Sequence, residues 1–413
     1  MKPVIYFFRH AVLLLGLMIG LLACDKTVEV GPNGATLNTD DLAKAIAKRL
    51  DGTCVGYQFV ISVNGSQKSI YANGDARLAQ DGNARAMFVN DKFNIASCSK
   101  TITAAAMLRA LNAKKKSVDD VIDAYLPAHW SLGTAKSITF KQLLTHSAGY
   151  ADKSYGSDYA SLKKLVSEGL VDAKKPRVYN NANFALMRFL IATLADYPIT
   201  KIPVNASSEV RKATEDIQAQ EYASAYIDYC QKFVLGVSGS GMNTIVCKPT
   251  DTNPGLCYQF PKDNGKGTDF GDMTLTNAER GWNMTTVQMA AFMSALHFSE
   301  KIIPKSLSDM MRTDLAGYDF RSATPNNMGY YAKNGGYPGK FADKAKDGAN
   351  FGKNYNAGQL ESWLIGFDNN VQISFIANSQ VFIGANSKEY PNGENALNSI
   401  VAAFDEWYKA GAK

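Results

Sequence analysis

The chain has 413 residues, 46% of them hydrophobic and 20% charged, with a formal net charge of +6. This is the balance of a globular protein with a sizeable core, in one large domain or two ordinary ones, with no internal repeat or low-complexity region. The only basic run, Lys114-Lys115-Lys116, reads as a solvated turn at the end of a helix, so nucleic acid is not among the expected partners.

Lys2, Arg9 and His10 precede an apolar run from Ala11 to Leu22, too short to span a bilayer comfortably and typical of an export leader. The run ends in Leu21-Leu22-Ala23-Cys24, which resembles the lipobox of bacterial lipoproteins. The alternative is an ordinary secretory signal followed by a chance cysteine. The resemblance implies cleavage after residue 23, a lipid on Cys24, and a membrane-anchored protein of the bacterial envelope, facing the periplasm or the exterior. Residues 24–50 are expected as a polar tether, Asp25 to Asn38, and a first helix.

Val55, Tyr57, Phe59, Ile61 and Val63 then alternate with Gly56, Gln58, Val60 and Ser62, a strand period. Asn64-Gly65 predicts a hairpin turn into a second strand near residues 68–72. The middle is mostly helical in pattern: Thr101 to Leu111, Ala182 to Leu194 and Thr286 to Leu296 are nearly apolar all round. Residues 236–280 are irregular, and Cys247 and Cys257 flank a Pro-Thr-Asp-Thr-Asn-Pro-Gly segment within them. In an exported loop this pair is expected to form a disulfide, closing a short ring worth roughly 2–3 kcal/mol. Five cysteines besides Cys24 leave at least one thiol free, and Cys98 is expected to stay reduced. No C-x-x-C occurs and only His129, His146 and His297 follow the leader, so no metal site and no cofactor are expected. Ser362 to Phe367 and Val371 to Ala377, joined by Asp368-Asn369-Asn370, predict a second hairpin. A last helix presents Leu397, Ile400, Val401, Phe404 and Tyr408 on one face.

Strands at both ends with helices between predict an α+β fold, with one antiparallel sheet flanked by helices plus an all-helical lobe. Residues 51–413 are read as one domain, the sheet drawn from 51–95 and 325–413 and the lobe from 96–324.

Phe93-Asn94-Ile95-Ala96-Ser97-Cys98-Ser99-Lys100 runs into the first apolar helix. Ser97 and Lys100, three apart, share one helical face. The dipole and free N–H groups at a helix start favour developing negative charge. A lysine on so apolar a helix, with no acidic residue near it in sequence, is poorly solvated, which lowers its pKa and lets it accept a proton. A serine nucleophile beside an amine base is what acyl transfer needs. By themselves the two residues read equally well as an N-cap serine and a lysine reaching for water.

The surroundings decide for chemistry. The segment from Phe93 to Leu111 resembles the active-site helix of the β-lactamase-related serine hydrolases, which share S-x-x-K with penicillin-binding proteins. Ser117-Val118-Asp119-Asp120, Tyr125-Leu126-Pro127 and the stretch from Ile138 to Gly149, with its Leu-Leu-Thr-His-Ser-Ala-Gly, follow in that family's order. His146 within it reads as a structural histidine. Tyr179-Asn180-Asn181 resembles the family's Tyr-x-Asn. This implies that Tyr179, as a phenolate beside a cationic lysine, relays a proton, and that Asn181 binds substrate or holds Lys100. Lys333-Asn334-Gly335 resembles the family's Lys-Thr-Gly on the strand walling the site, with Lys333 meeting a substrate carboxylate. Asn334 departs from the usual hydroxyl residue, and Asn356-Ala357-Gly358, without a cation, is the rival. The resemblance implies a β-lactamase- or DD-peptidase-like sandwich and covalent acyl transfer through Ser97. The expected substrate is a peptidoglycan-type D-Ala-D-Ala peptide, a β-lactam, or a small ester or amide. The alternative is an inactive lipoprotein of the same fold that serves as a binding or sensor module. No Gly-x-Ser-x-Gly occurs, which leaves a Ser-His-Asp hydrolase without support.

Overall fold

The computed structural model describes residues 26–150, 155–169, 171–259, 265–337, 360–381 and 395–411. The leader and Cys24 lie outside these residues, as do Asn356-Ala357-Gly358. The expected tether is instead ordered structure. Strands β1 (Thr27–Glu29) and β2 (Thr36–Asn38) pair antiparallel. Val28 and Val30 enter the core, and Trp407 Nε1 donates to Asn38 O at 2.8 Å. The physical reason is apolar: two valines among the polar residues suffice to dock the hairpin. Asn38 then caps helix α1 (Thr39–Leu50) through its side chain.

Strands β3 (Gly56–Val63), β4 (Ser66–Arg77) and β5 (Arg85–Ala86) begin the main sheet. The β3–β4 turn is the predicted one, with Asn64 at φ 50° and Gly65 at φ 76°. Short strands β6 (Phe93–Asn94) and β7 (Asn283–Met284) pair with each other. Strands β8 (Phe320–Ala323), β9 (Gly329–Tyr337), β10 (Leu360–Phe367) and β11 (Val371–Ala377) complete a seven-stranded antiparallel sheet in the order β5-β4-β3-β11-β10-β9-β8.

The helices are α2 (Ser99–Ala113), α3 (Phe140–Leu144), α4 (Tyr159–Glu168), α5 (Asn181–Ala185), α6 (Met187–Leu194), α7 (Ser208–Cys230), α8 (Thr286–Phe298), α9 (Lys305–Thr313) and α10 (Ala396–Ala410). One sheet face is covered by α1 and α10, where Leu42, Ile46, Ile400 and Phe404 meet Phe59, Ile61, Ile365 and Ile373. The other face meets α8, so β3 is buried along its whole length. Gln58 on that face is therefore a buried polar side chain, and it bonds rather than reaches water. Its Oε1 accepts from Thr286 N and Oγ1, at 3.2 and 2.8 Å, and its Nε2 donates to Asp91 O at 2.9 Å. Helix α8 and strand β8, expected within the lobe, thus belong to the sheet layers. The 23-residue α7 is a long helix that no apolar run in the sequence marks; it buries Thr214, Gln218, Tyr222, Ala225, Tyr226 and Tyr229 along one side.

Cys247 and Cys257 are buried free thiols, and the expected disulfide is not formed. Their backbones are pinned to different partners. Cys257 exchanges bonds with Thr268, at 2.8 and 2.9 Å, whereas Cys247 O accepts from Met273 N at 2.9 Å. Burial stabilises each reduced side chain where it stands and pushes both thiols above their usual pKa.

Candidate active site

The strand β6 ends in a tight turn in which Ala96, at φ 45°, leads into a single 3-10 turn, Ala96–Cys98. Asn94 Oδ1 steadies it by accepting from Ala96 N at 2.8 Å. This turn carries Ser97 just before α2 and keeps it partly exposed, while Lys100 on the first helical turn is fully buried. Lys100 Nζ donates to Ser97 Oγ at 3.0 Å, to Asn181 Oδ1 at 2.9 Å and to Glu279 O at 2.8 Å. The spacing read from the sequence therefore brings nucleophile and amine into contact.

Tyr179 approaches from a different loop and donates its hydroxyl to Ser97 Oγ at 2.7 Å. That loop is shaped by His146. Its Nδ1 accepts from Asn180 N at 3.3 Å and lies 3.2 Å from Asn183 Nδ2, and its ring lies 4.5 Å from that of Tyr179. Burial, with Lys100, Lys333 and Arg177 nearby, holds His146 far below its usual pKa, so it is a neutral scaffold. Asn180 caps α5, which places Asn181 toward the lysine.

On the wall opposite, Lys333, Asn334 and Gly335 lie on β9 and pair with Leu364, Trp363 and Ser362 of β10. The chain between the motif and Trp363 is thus the connection of one hairpin. A Cβ on Gly335 would stand 2.3 Å from Ser362 Oγ and 2.4 Å from Ile95 O, so glycine is what lets β9 close on the Ser97 turn. Asn334 N points away from β10 to Asp319 Oδ2 at 2.8 Å. Strand alternation turns the Gly336 N–H to that same open edge, as a donor for an oxyanion.

Three expectations need correction. Lys333 is not a free cation: its Nζ bonds both Asp319 oxygens, at 2.8 and 2.9 Å, and Asn334 O at 2.9 Å, and its side chain is 2% exposed. It sits 5.2 Å over the Tyr179 ring instead. Tyr179 is not a phenolate, because loss of water around its hydroxyl raises its pKa against the opposing effects of Lys333 and Ser97. Lys100 does have a carboxylate beside it, Glu279 Oε2 at 3.9 Å, supplied from far along the chain. Desolvation still outweighs Glu279 and lowers the amine to about 8, with the positive charge of Arg280 pushing the same way. Asp319, Glu279 and Arg280 carry no sequence signal of their own. Cys98 beside the serine is a buried thiol raised to about 12. Among the described residues no cluster of His, Cys, Asp or Glu could hold a metal ion.

The β-lactamase family model matches residues 42–203, which include Ser97, Lys100, Tyr179 and Asn181. No curated protein matches the chain. Its fold is similar to that of D-amino acid amidase from Ochrobactrum anthropi SV3, with 17% identity, TM-score 0.61, and 88% of this chain and 99% of that one covered. FmtA from Staphylococcus aureus is similar at 16% identity and TM-score 0.59, covering 90% and 88%. A penicillin-binding protein homologue from Pyrococcus abyssi matches at 14% identity and TM-score 0.58, covering 90% and 76%. Residues 42–203 are thus similar to the β-lactamase family, and the fold of the chain as a whole is that of these structures.

Proposed function

We propose that the chain is an active serine hydrolase that forms a covalent acyl-enzyme on Ser97. Its substrate would be a D-Ala-D-Ala-type peptide, a β-lactam, or a small ester or amide. The observation that carries this reading is the contact of Ser97 Oγ with both Lys100 Nζ and Tyr179 Oη. Ser97 Oγ attacks the substrate carbonyl and its proton passes to the neutral Lys100 amine. The oxyanion meets the Gly336 N–H. The bond to the leaving group breaks as Tyr179 gives that group its hydroxyl proton, and Lys100 returns a proton to Tyr179. Water then hydrolyses the ester by the reverse relay. A raised Tyr179 pKa suits this role, since a phenol can donate where a phenolate cannot. The similarity to a D-amino acid amidase and to penicillin-binding protein homologues supports substrates with a D-configured centre beside the scissile bond. A silent binding module would have no use for a fully buried amine beside a serine, which costs free energy to desolvate.

Only neutral Lys100 accepts the proton, and that form prevails above about 8. Acylation by an uncharged activated ester should therefore rise roughly tenfold per pH unit below that value and level off above it. A rate flat between pH 6 and 9, measured by stopped flow, would remove the amine from the mechanism.

The proposed location is the envelope, through a lipid on Cys24. This rests on the leader and the Leu-Leu-Ala-Cys segment, which lie outside the described residues. No helix among the described residues is long and apolar enough to cross a membrane. Cys24→Ser should move the protein from the membrane to the soluble fraction and abolish lipid labelling; equal anchoring of both forms would reject the lipid.

A further inference from the structure

Glu279 is fully buried, and the sequence gives no hint of it as part of the site. Its carbonyl accepts from Lys100 Nζ at 2.8 Å, and its carboxylate Oε2 lies 3.9 Å from the same nitrogen. That oxygen has no hydrogen-bond partner among the described residues. The other, Oε1, is tied down by Ser157 Oγ, and by Arg280 through Nε at 2.7 Å and Nη2 at 2.5 Å. Ser157 O in turn accepts from Arg188 Nη2 at 2.5 Å, and Arg188 Nη1 donates to Asn277 O at 3.3 Å, two residues before Glu279. The carboxylate is thus held by the Ser157 loop and by its own neighbour, with Arg188 of α6 bracing the backbone at Ser157 and Asn277, and its other oxygen faces the amine.

We propose that Glu279 is the positioning residue of the acylation step, holding Lys100 against Ser97 through its carbonyl and acting on the amine's charge through its carboxylate. The inference rests on the acyl-transfer reading of Ser97 for its meaning, though not for its test. Burying a carboxylate with only part of its hydrogen-bonding capacity used is costly. A nearby ammonium offsets that cost only while it is charged, so the carboxylate favours the protonated lysine. The charged and titratable groups around Lys100 are Cys98 on its own turn, Tyr179 and His146 on the loop opposite, Glu279 and Arg280 before β7, and Asp319 before β8. Desolvation and Arg280 lower the amine; Glu279 is the largest influence opposing them. A site with Lys100 fully desolvated and no counter-ion would keep the amine neutral over a wider pH range, but could not easily hold the proton it takes from Ser97. Glu279 fits that second requirement: it stabilises the lysine in the state reached after proton transfer.

The test is the titration of Lys100 itself, followed through its 13Cε resonance and assigned by its loss in Lys100→Met, beside the pH profile of Ser97 acylation. In Glu279→Gln the midpoint should fall by about one pH unit, and the acidic limb of the profile should move the same way, with a lower plateau rate. Glu279→Asp, which withdraws the carboxylate by one methylene, should give a smaller shift, and it decides the matter if the glutamine variant does not fold. A midpoint and an acidic limb unmoved in a variant that merely melts earlier would make Glu279 structural only and overturn the proposal. If the wild-type protein did not acylate Ser97 at all, the functional reading would fall, while the Lys100 midpoint would still decide for or against Glu279.

Discussion

Lys100→Arg should reduce acylation of Ser97 by an activated ester about a thousandfold or more. The guanidinium keeps the positive charge but cannot release a proton at any accessible pH, so the base is removed and the charge is not. The site gives the lysine three acceptors, Ser97 Oγ, Asn181 Oδ1 and Glu279 O, and no solvent. The larger arginine must crowd this cavity, at a cost of about 1–3 kcal/mol. Lys100→Met, apolar and of similar length, separates crowding from chemistry: it should fold and be equally inactive. Tyr179→Phe should lose less, about ten- to a hundredfold, because one relay step is removed while the base remains. Stopped-flow acylation measures all three. A wild-type rate in either lysine variant would reduce Lys100 to electrostatic scaffolding.

Asp319→Ala should be among the most destabilising single changes at the site, costing about 3 kcal/mol. Lys333 is 2% exposed in its side chain and spends two of its contacts on this one carboxylate. Removing the partner leaves a buried ammonium with only Asn334 O, the situation in which breaking a buried pair is most expensive. The partial exposure of Asp319, 20% in its side chain, lets water recover some of the loss and keeps the figure at the lower end of the range. Asn334 N also loses its acceptor, so the edge of β9 facing Ser97 should loosen. Urea denaturation at constant m-value should report the loss, and Lys333→Met in the same background should restore part of it. A stability within 0.5 kcal/mol of wild type, roughly what an ordinary surface substitution gives, would mean that Lys333 is solvated and free for substrate after all.

How legible the site was depended on sequence distance. Ser97 and Lys100 are one helical turn apart, so spacing alone put them together. Asn64-Gly65 likewise specified its hairpin, because backbone at positive φ is a local requirement. The Lys100–Glu279 contact spans 179 positions and is made by a glutamate in an irregular stretch, where neither periodicity nor a motif marks it. The Lys333–Asp319 pair is closer in sequence, yet only the strand register of β8 and β9 shows that the aspartate faces the lysine. Both missed acids stand beside a lysine of the site, and that is why the electrostatic expectations failed in detail. Lys333 was expected to be an open cation and is neutralised. Tyr179 was expected as a phenolate and is a phenol, because desolvation dominates its surroundings. The depression of Lys100 survived because burial outweighs the unforeseen carboxylate. The Cys247–Cys257 expectation failed on a similar ground: proximity in an irregular stretch says nothing about which backbone each cysteine pairs with. Helix α7 was overlooked because its buried side is built from Thr, Gln and Tyr rather than from aliphatic residues.

The central claim, covalent chemistry at Ser97, is tested most directly by intact-mass analysis after reaction with a fluorophosphonate and, separately, with a fluorescent penicillin. A single adduct with at least one of these reagents, mapped by peptide sequencing to Ser97 and absent from Ser97→Ala, is the predicted result. An adduct retained in Ser97→Ala, or no adduct with either reagent on folded protein, would contradict it.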